Sequence, residues 1–524
     1  MPHQRPEIDP DGLDEFSVVF TDRSLNHMSK RFQQVMRDLS AGLCEVYGAA
    51  QVAIVPGGGS YAMESVARQF GRDAHALIVR NGWFSYRWSQ IFDAGTFARE
   101  VTVVKARPQG NAPQPAYAPP PIDEVVARIR ETRPDAVFAP HVETSAGLIL
   151  PDDYITALAD AAHEVGALMV LDCIASGAIW VDMRATGVDV LISAPQKGWS
   201  ASPAAGLVML SDRAAERLAT TDSDSFALDL KKWRAIMQAY LDGGHAYHAT
   251  MPTDALLGLR DAMEETRAMG FAAARDAQWR LGRAVRDELS ARGIRSVAAE
   301  GFQAPGVVVS YTDDPEVKSG KAFAALGTQI AAGVPLAVDE GADFSTFRIG
   351  LFGLDKLRDV DAVTMWRQDP DMTLTIDLES PLGPDLDLLF QRHTAEMHAD
   401  TPPGSIHMMP KEALENPAIA FFVVRDAGQP VAMGAIKDLG ASEGELKSMH
   451  VLSEQRGRGV SRMLLRHMLG HARKAGYAKL SLETGVQPGF VAARGLYARE
   501  GFTECPPFGS YRADPHSVFM TLML

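Results

Sequence analysis

Cysteine, basic excess and long apolar runs are all scarce in this chain. Only Cys44, Cys173 and Cys505 occur among 524 residues, scattered without metal-ligand spacing. Neither a metal site nor a disulfide framework is expected, and a reducing, cytoplasmic setting is the simple reading. Lysine and arginine number 51 against 66 aspartates and glutamates, a formal net charge of −15. No excess of positive charge is available to neutralise phosphates, so a nucleic-acid partner is not expected. The opening MPHQRPEIDPDGLDEF has no apolar leader core, and no uninterrupted apolar run spans a bilayer; secretion and a membrane partner are not expected. What is present is the balance of a folded protein, 46% hydrophobic and 22% charged, in a chain long enough for more than one domain.

From about Gln51 short apolar runs alternate with helical patterns: AIVPGGGS with AMESVARQF, HALIVR with WFSYRWSQIF, TVVKA with IDEVVARIRE, DAVFAPH with DDYITALADAAHEV, then ALMVLD. This alternation predicts a mainly parallel sheet flanked by helices. RPQGNAPQPAYAPPP (107–121) reads as a proline-rich surface connection, and 225–292 as mostly helical. RQDPDMT (367–373) breaks the pattern, and AFFVVRD, VAMGAIKDL and GELKSMHV beyond it read as an antiparallel meander. The boundary is placed at 370/371, giving domains 1–370 and 371–524.

Two sites carry chemistry. In the first, SAPQKGW follows the apolar run GVDVLIS, so Lys197 sits at a strand's carboxyl end, and Asp172 ends another strand, ALMVLD. Taken singly, a solvated loop lysine and a capping aspartate are the simpler readings. Together they are the groups that pyridoxal phosphate requires: an amine to condense with its aldehyde and a carboxylate to hold its ring nitrogen protonated. PGGGSYA lies between strand and helix, where backbone N–H groups can meet an anion. In the second site, Gln455-Arg456-Gly457-Arg458-Gly459-Val460 lies between an apolar strand and an amphipathic helix, so backbone can approach a pyrophosphate there. An ordinary basic loop is the alternative on those six residues alone.

In order along the chain, GGGSYAME, NGWFSYRW, HVETSAG, VLDCIASG, SAPQKGW, YHATMP and FRIGLFG resemble the class V aminotransferases of fold type I over roughly residues 20–365. The resemblance implies a small α/β subdomain beside the main sheet. It implies cofactor binding by Ser60, Tyr61 and Gln196 (phosphate), Phe84 rather than Trp83 (ring stacking), Thr144 (phenolic oxygen), Asp172 (ring nitrogen) and Lys197 (covalent attachment and proton shuttle). Tyr247 and Thr250 would reach a partner subunit's phosphate in a homodimer, and Arg348 would fork onto a substrate carboxylate. FSVVFTDRSLNHMSKRF stands where the family carries a Gly-Pro-rich opening, and proline and tryptophan flank the lysine motif. These departures leave the substrate open.

The stretch from about 373 to 524 resembles the GNAT acetyltransferases, a mixed α/β fold, through QRGRGV, LSLETG and FVAARGLYAREGF. That implies acetyl-CoA as co-substrate, with Arg456, Gly457, Arg458, Gly459, Val460 and Ser461 on the pyrophosphate, Val451 beside the pantetheine arm, and Tyr497 as the acid that protonates the leaving thiolate. Glu445 is the first choice of base and Glu483 the second; His393, His398 and His407 are candidates to line the acceptor pocket. The combined expectation is a bifunctional enzyme acting on small molecules: amino transfer between an amino acid and an oxo acid, plus N-acetylation of an amine. The alternative is a lyase- or desulfurase-type enzyme whose C-terminal domain serves as an acyl-CoA sensor or interaction module.

Overall fold

The structure is a computed structural model that describes residues 7–360, 374–400, 402, 405, 407–456 and 459–524. The chain divides into two compact units, residues 1–364 and 365–524. The boundary expected at 370/371 lies outside the described residues.

The first unit is built on β1 (Gln51–Pro56), β2 (His75–Arg80), β3 (Glu100–Lys105), β4 (Ala136–Pro140), β5 (Leu168–Asp172), β6 (Val190–Ser193) and β7 (Ala205–Leu210). Their order in the sheet is β1-β7-β6-β5-β4-β2-β3. All run parallel except β7, which is antiparallel to both of its neighbours. Strands β2, β4, β5, β6 and β7 are buried along their whole length, as apolar strands covered on both faces must be. Helices α1 (Lys30–Tyr47), α2 (Gly59–Phe70), α3 (Trp83–Gly95), α4 (Ile122–Thr132) and α5 (Asp152–Glu164) cover the sheet. The expected helical stretch forms α6 (Leu230–Leu241), α7 (Thr253–Met269) and α8 (Phe271–Ala291). A small antiparallel sheet, β8 (Val307–Tyr311), β9 (Ala331–Ala332) and β10 (Thr346–Gly350), has β10 at its centre and its own apolar cluster.

Two features differ from the sequence reading. The proline-rich stretch forms a hairpin, Arg107–Gln109 paired with Ala116–Ala118. More consequentially, the alternation of strand and helix does not mark β7. Residues 194–204 contain no crossover helix, and without one the chain can only return antiparallel. That connection carries Lys197. It is held close to the sheet because Gly198 passes Gly177 so tightly that a Cβ would sit 2.0 Å from the Gly177 carbonyl oxygen.

In the second unit, β11 (Leu374–Leu378), β12 (Ile419–Asp426), β13 (Gln429–Gly440) and β14 (Glu443–Val451) form the expected meander, continued by β15 (Lys479–Gly485), β16 (Thr503–Glu504) and β17 (Ser517–Met523) in the order β11-β12-β13-β14-β15-β17-β16. Helices α9 (Asp387–Asp400), α10 (Val460–Lys474) and α11 (Val491–Arg499) accompany them. Leu464, Leu465 and Met468 of α10 share the unit's main core with Phe422 and Val424. Strand β14 pairs in parallel with β15 only over Glu443–Leu446 against Lys479–Leu482. Beyond those residues the two strands part.

Two glycines of the first unit, Gly198 at the tight passage and Gly58 beside open space, should behave oppositely. Gly198→Ala forces backbone against backbone and should cost about 1–3 kcal/mol of stability. Gly58→Ala, whose Cβ would meet nothing within 4 Å, should leave the urea midpoint of the intact chain nearly unchanged. Equal midpoints for both variants would contradict the tight passage of the Lys197 loop.

Candidate active sites

The carboxyl ends of β4, β5 and β6 collect the reactive groups of the first unit. Asp172 closes β5 at 8% exposure, and its Oδ1 accepts the Ile174 N–H at 2.9 Å. Burial pushes its carboxyl up to about 6; the Ile174 N–H, Arg87 and Lys197 oppose the shift and Glu143 adds to it. Lys197 follows β6, its ammonium 5.0 Å from the Phe352 ring centre. Burial, then the guanidinium groups of Arg348 and Arg87, pushes that ammonium down, against the pull of Asp172. An amine so shifted is deprotonated, hence nucleophilic, more readily near neutral pH.

The turn from β1 into α2 has three glycines with different reasons. Gly57 adopts φ 120, and a Cβ there would strike the Tyr61 ring at 2.6 Å. One on Gly59 would meet Ile174 at 2.5 Å, while one on Gly58 would meet nothing within 4 Å. The middle glycine therefore borders open space beside the first N–H groups of α2, a cradle suited to an anion. Ser60 is exposed, and its Oγ accepts a hydrogen bond from Arg87 Nη1 at 2.8 Å. Tyr61 is 55% exposed.

Glu143 organises the other wall. Fully buried, its carboxylate accepts the N–H of Phe84 at 3.2 Å and of Ser85 at 2.9 Å, and the hydroxyls of Ser85 and Ser145 at 2.7 Å each. A carboxylate at the start of α3 satisfies N–H groups that the helix cannot. The cap aims Phe84, whose ring has Arg87 Cζ at 5.4 Å and Arg348 Cζ at 5.5 Å. Trp83 instead turns to Tyr86, the ring centres 5.8 Å apart. Arg348, on β10, donates from Nε to the Ala332 carbonyl at 2.8 Å; burial pushes its guanidinium down and Glu143 opposes that. Thr144 is buried beside the cap, and Gln196, next to Lys197, is exposed. Tyr247 and Thr250 are both exposed: their side-chain oxygens lie 3.1 Å apart, and the Tyr247 ring is 5.6 Å from His27.

Arg87, Glu143 and His141 belong to this neighbourhood and are absent from the sequence expectations. Arg87 lies three residues after Phe84, on the same side of a helix, and Glu143 lies inside the HVETSAG motif. His141 gives no such signal. Its backbone N–H donates to the Asp172 carbonyl at 2.8 Å, its Nδ1 lies 2.6 Å from Ser176 Oγ, and burial holds it down to about 3, a neutral ring.

In the second unit the parting of β14 and β15 opens a cavity lined by Glu445, Lys447, Glu483, Tyr497, Tyr511 and His407, among others. Strand β14 bulges as it leaves β15: Ser448 has φ 53, and the register with β13 shifts opposite Gly434. A second cavity, lined by Val451, Arg456, Gly459, Val460 and Ser461, shares His393 and Tyr497 with the first. Gly459, with φ 76, starts α10; Gly457 and Arg458 lie outside the described residues. Arg456 donates to the Val451 carbonyl at 3.1 Å and forms a two-armed pair with Glu396 at 2.6 and 2.7 Å.

The two carboxylates differ. Glu445 Oε1 accepts the Tyr511 hydroxyl at 2.6 Å and lies 3.0 Å from the Lys447 ammonium. Glu483 accepts Ser517 Oγ at 2.6 Å; burial, reinforced by Glu445, pushes its carboxyl up against that bond, His407 and Lys447. Burial and the Glu483 charge push Tyr497 up to about 12, so its phenol keeps its proton at neutral pH. His407 stands edge-on to Tyr511 at 5.1 Å. His398 is exposed, with its Nδ1 against the Thr394 carbonyl of its own helix, and so does not line the cavity.

The model of the aminotransferase class-V family matches residues 16–313, and that of the acetyltransferase (GNAT) family matches residues 386–502. This chain belongs to the class V aminotransferases and carries a GNAT acetyltransferase domain at its C-terminal end, which makes it a bifunctional enzyme. The 2-aminoethylphosphonate–pyruvate transaminase of Paraburkholderia phymatum is 30% identical over 329 residues, 62% of this chain and 84% of that one. The uncharacterized N-acetyltransferase YedL of Escherichia coli is 40% identical over 150 residues, 29% of this chain and 94% of that one. The solved alanine–glyoxylate aminotransferase of a Nostoc species shares the fold of the first unit, with a TM-score of 0.55 at 22% identity over 64% of this chain and 86% of that one. No helix among the described residues is long and apolar enough to cross a membrane.

Burial holds His393 and His450, 5.3 Å apart, down to about 4 each, from 6.5. The unfolded chain therefore binds more protons between those values, so the stability that these rings contribute is present above pH 6.5 and lost as the pH falls toward 4. Protection of backbone amides from β12 to α10 in the intact chain, corrected for the intrinsic slowing of exchange at lower pH, should fall across that window, and His393→Gln should flatten the change. A protection profile independent of pH there would contradict the neutral buried pair.

Proposed function

We propose that the first unit transfers an amino group between an amino acid and an oxo acid on pyridoxal phosphate, and that the second acetylates an amine with acetyl-CoA. The observation that carries the first half is the pair formed by Asp172, buried at the end of β5, and Lys197, half-buried just past the end of the adjacent parallel strand β6, each sensing the other's charge. The residues fit the cofactor: Gly58 borders open space at a helix start, Phe84 presents a ring with the Arg87 and Arg348 guanidinium carbons 5.4 and 5.5 Å from its centre, and the buried Asp172 carboxyl can meet a ring nitrogen. Bound pyridoxal phosphate supplies an electron sink for the bond that breaks at the substrate's α-carbon. Asp172 holds the ring nitrogen protonated, and Lys197 anchors the aldehyde carbon and moves the α-proton. Phe84 covers the ring, Thr144 meets its phenolic oxygen, and Ser60, Tyr61 and Gln196 hold the phosphate. Tyr247 and Thr250, exposed and paired to each other, complete the site of a second copy in a homodimer. Arg348 receives the substrate anion, a carboxylate or, as in the name of the P. phymatum relative, a phosphonate; its planar fork suits either. A desulfurase reading finds no support: Cys173 is 2% exposed with its thiol pushed well up by burial, and Cys44 lies in α1.

In the second unit the acetyl group meets the amine where the two cavities join, beside Tyr497. Acetyl-CoA lies along Val451, with its pyrophosphate at Arg456–Ser461. Tyr497, protonated at neutral pH, gives its proton to the leaving thiolate. Glu483, raised toward neutral and free of an ion pair closer than 4 Å among the described residues, takes the amine's proton better than Glu445, whose Oε1 is engaged by Tyr511 and Lys447.

Product analysis by mass spectrometry, with amino acids, oxo acids, amines and acetyl-CoA supplied, tests both halves. Lys197→Ala should abolish amino transfer and leave acetylation intact. Tyr497→Phe should lower acetylation about 10²-fold and leave amino transfer intact. Loss of both activities in either variant, or of neither, would defeat the assignment. Arg348→Ala should raise KM for anionic donors by about 10²-fold, the effect of unpairing a buried charge contact, with little change for amines that lack an anionic group.

A further inference from the structure

Arg87 is the unexplained cation of the first unit. Its guanidinium donates to the neutral hydroxyl of Ser60, lies 5.4 Å from the Phe84 ring centre, and is close enough to shift both Asp172 and Lys197. Among the described residues it forms no ion pair within 4 Å, whereas Arg68, the neighbouring arginine on α2, is paired with both Glu64 and Asp224. The nearby carboxylates are already committed: Glu143 caps α3, and Asp172 faces Lys197. Meanwhile the opening of α2 beside Ser60 presents unpaired N–H groups, and Gly58 leaves open space in front of them. A half-buried cation, a hydroxyl and a helix start thus converge on a space that contains no anion of the protein.

We infer that Arg87 is a phosphate-binding residue of this site, clamping the dianionic group of pyridoxal phosphate against Ser60 and the α2 N-terminus. The inference rests on the reading of Lys197 and Asp172 as the cofactor site, and it adds the charged partner that the expected set, Ser60, Tyr61 and Gln196, lacks within one subunit.

The test compares pyridoxal phosphate with pyridoxal, which keeps the ring and aldehyde and lacks the phosphate. Dissociation constants are read from the absorbance of the protein-bound chromophore for wild type, Arg87→Ala and Arg87→Lys, with circular dichroism and melting of each apoprotein alongside. Loss of one charge-assisted contact should weaken pyridoxal phosphate by about 10- to 10²-fold in Arg87→Ala, with Arg87→Lys intermediate, while pyridoxal binds all three proteins alike. Retained pyridoxal binding also reports that the variant is folded. Equal weakening of both ligands would overturn the inference and make Arg87 a structural residue, as would unchanged pyridoxal phosphate affinity in Arg87→Ala. If wild type bound neither ligand, the cofactor reading beneath the inference would fail instead, and the two failures are distinguishable.

Discussion

The first unit's site depends on one buried carboxylate. Glu143, without solvent exposure, replaces water for two backbone N–H groups and two hydroxyls at the start of α3. Removing water from a charge is costly unless hydrogen bonds take its place, and the end of a helix is where unsatisfied donors gather. The exchange fixes α3, hence the direction of Phe84 and Arg87. It also leaves a negative field inside the pocket, which helps to raise Asp172 and partly offsets the burial of Arg348. Cap, ring, two arginines and the Asp172 carboxyl are thus coupled through one side chain.

The second unit obtains its cavity by a different constraint. Parallel strands β14 and β15 share only the register from Glu443 to Leu446, and a bulge at Ser448 turns β14 away. Backbone groups freed by the parting must find other partners, and the open wedge is where an extended ligand can supply them. The same wedge holds Tyr497 and Glu483, and burial pushes both up, with the charge of Glu483 adding to the shift of Tyr497 and that of Glu445 to the shift of Glu483.

Much of this was legible in the chain. Asp172, Lys197 and the PGGGSYA turn stand at strand ends that periodicity alone locates, and Gly459 opens a helix where the QRGRGV pattern predicts one. Glu143 and Arg87 were harder to find because their roles are defined by what they touch: a glutamate within HVETSAG and an arginine on a helix face carry no pattern of their own. Strand β7 was hidden for a related reason. Its apolar run is the same whether it lies parallel or antiparallel, and only the short connection through Lys197 decides the direction. The preference between Glu445 and Glu483 likewise turns on Tyr511 and Lys447, of which Tyr511 is distant in sequence.

By itself, then, the sequence determined two families, the order of the elements and the residues whose chemistry is local to a strand end or a turn, because hydrophobic period and glycine conformation are properties of neighbouring residues. Tertiary structure alone decided which charges meet: that Arg87 turns to Ser60, that Glu143 is spent on a helix, that β14 leaves β15, and that one glutamate is paired while another is raised. Coulomb energy and desolvation depend on distance and burial in space, and neither quantity is written along the chain.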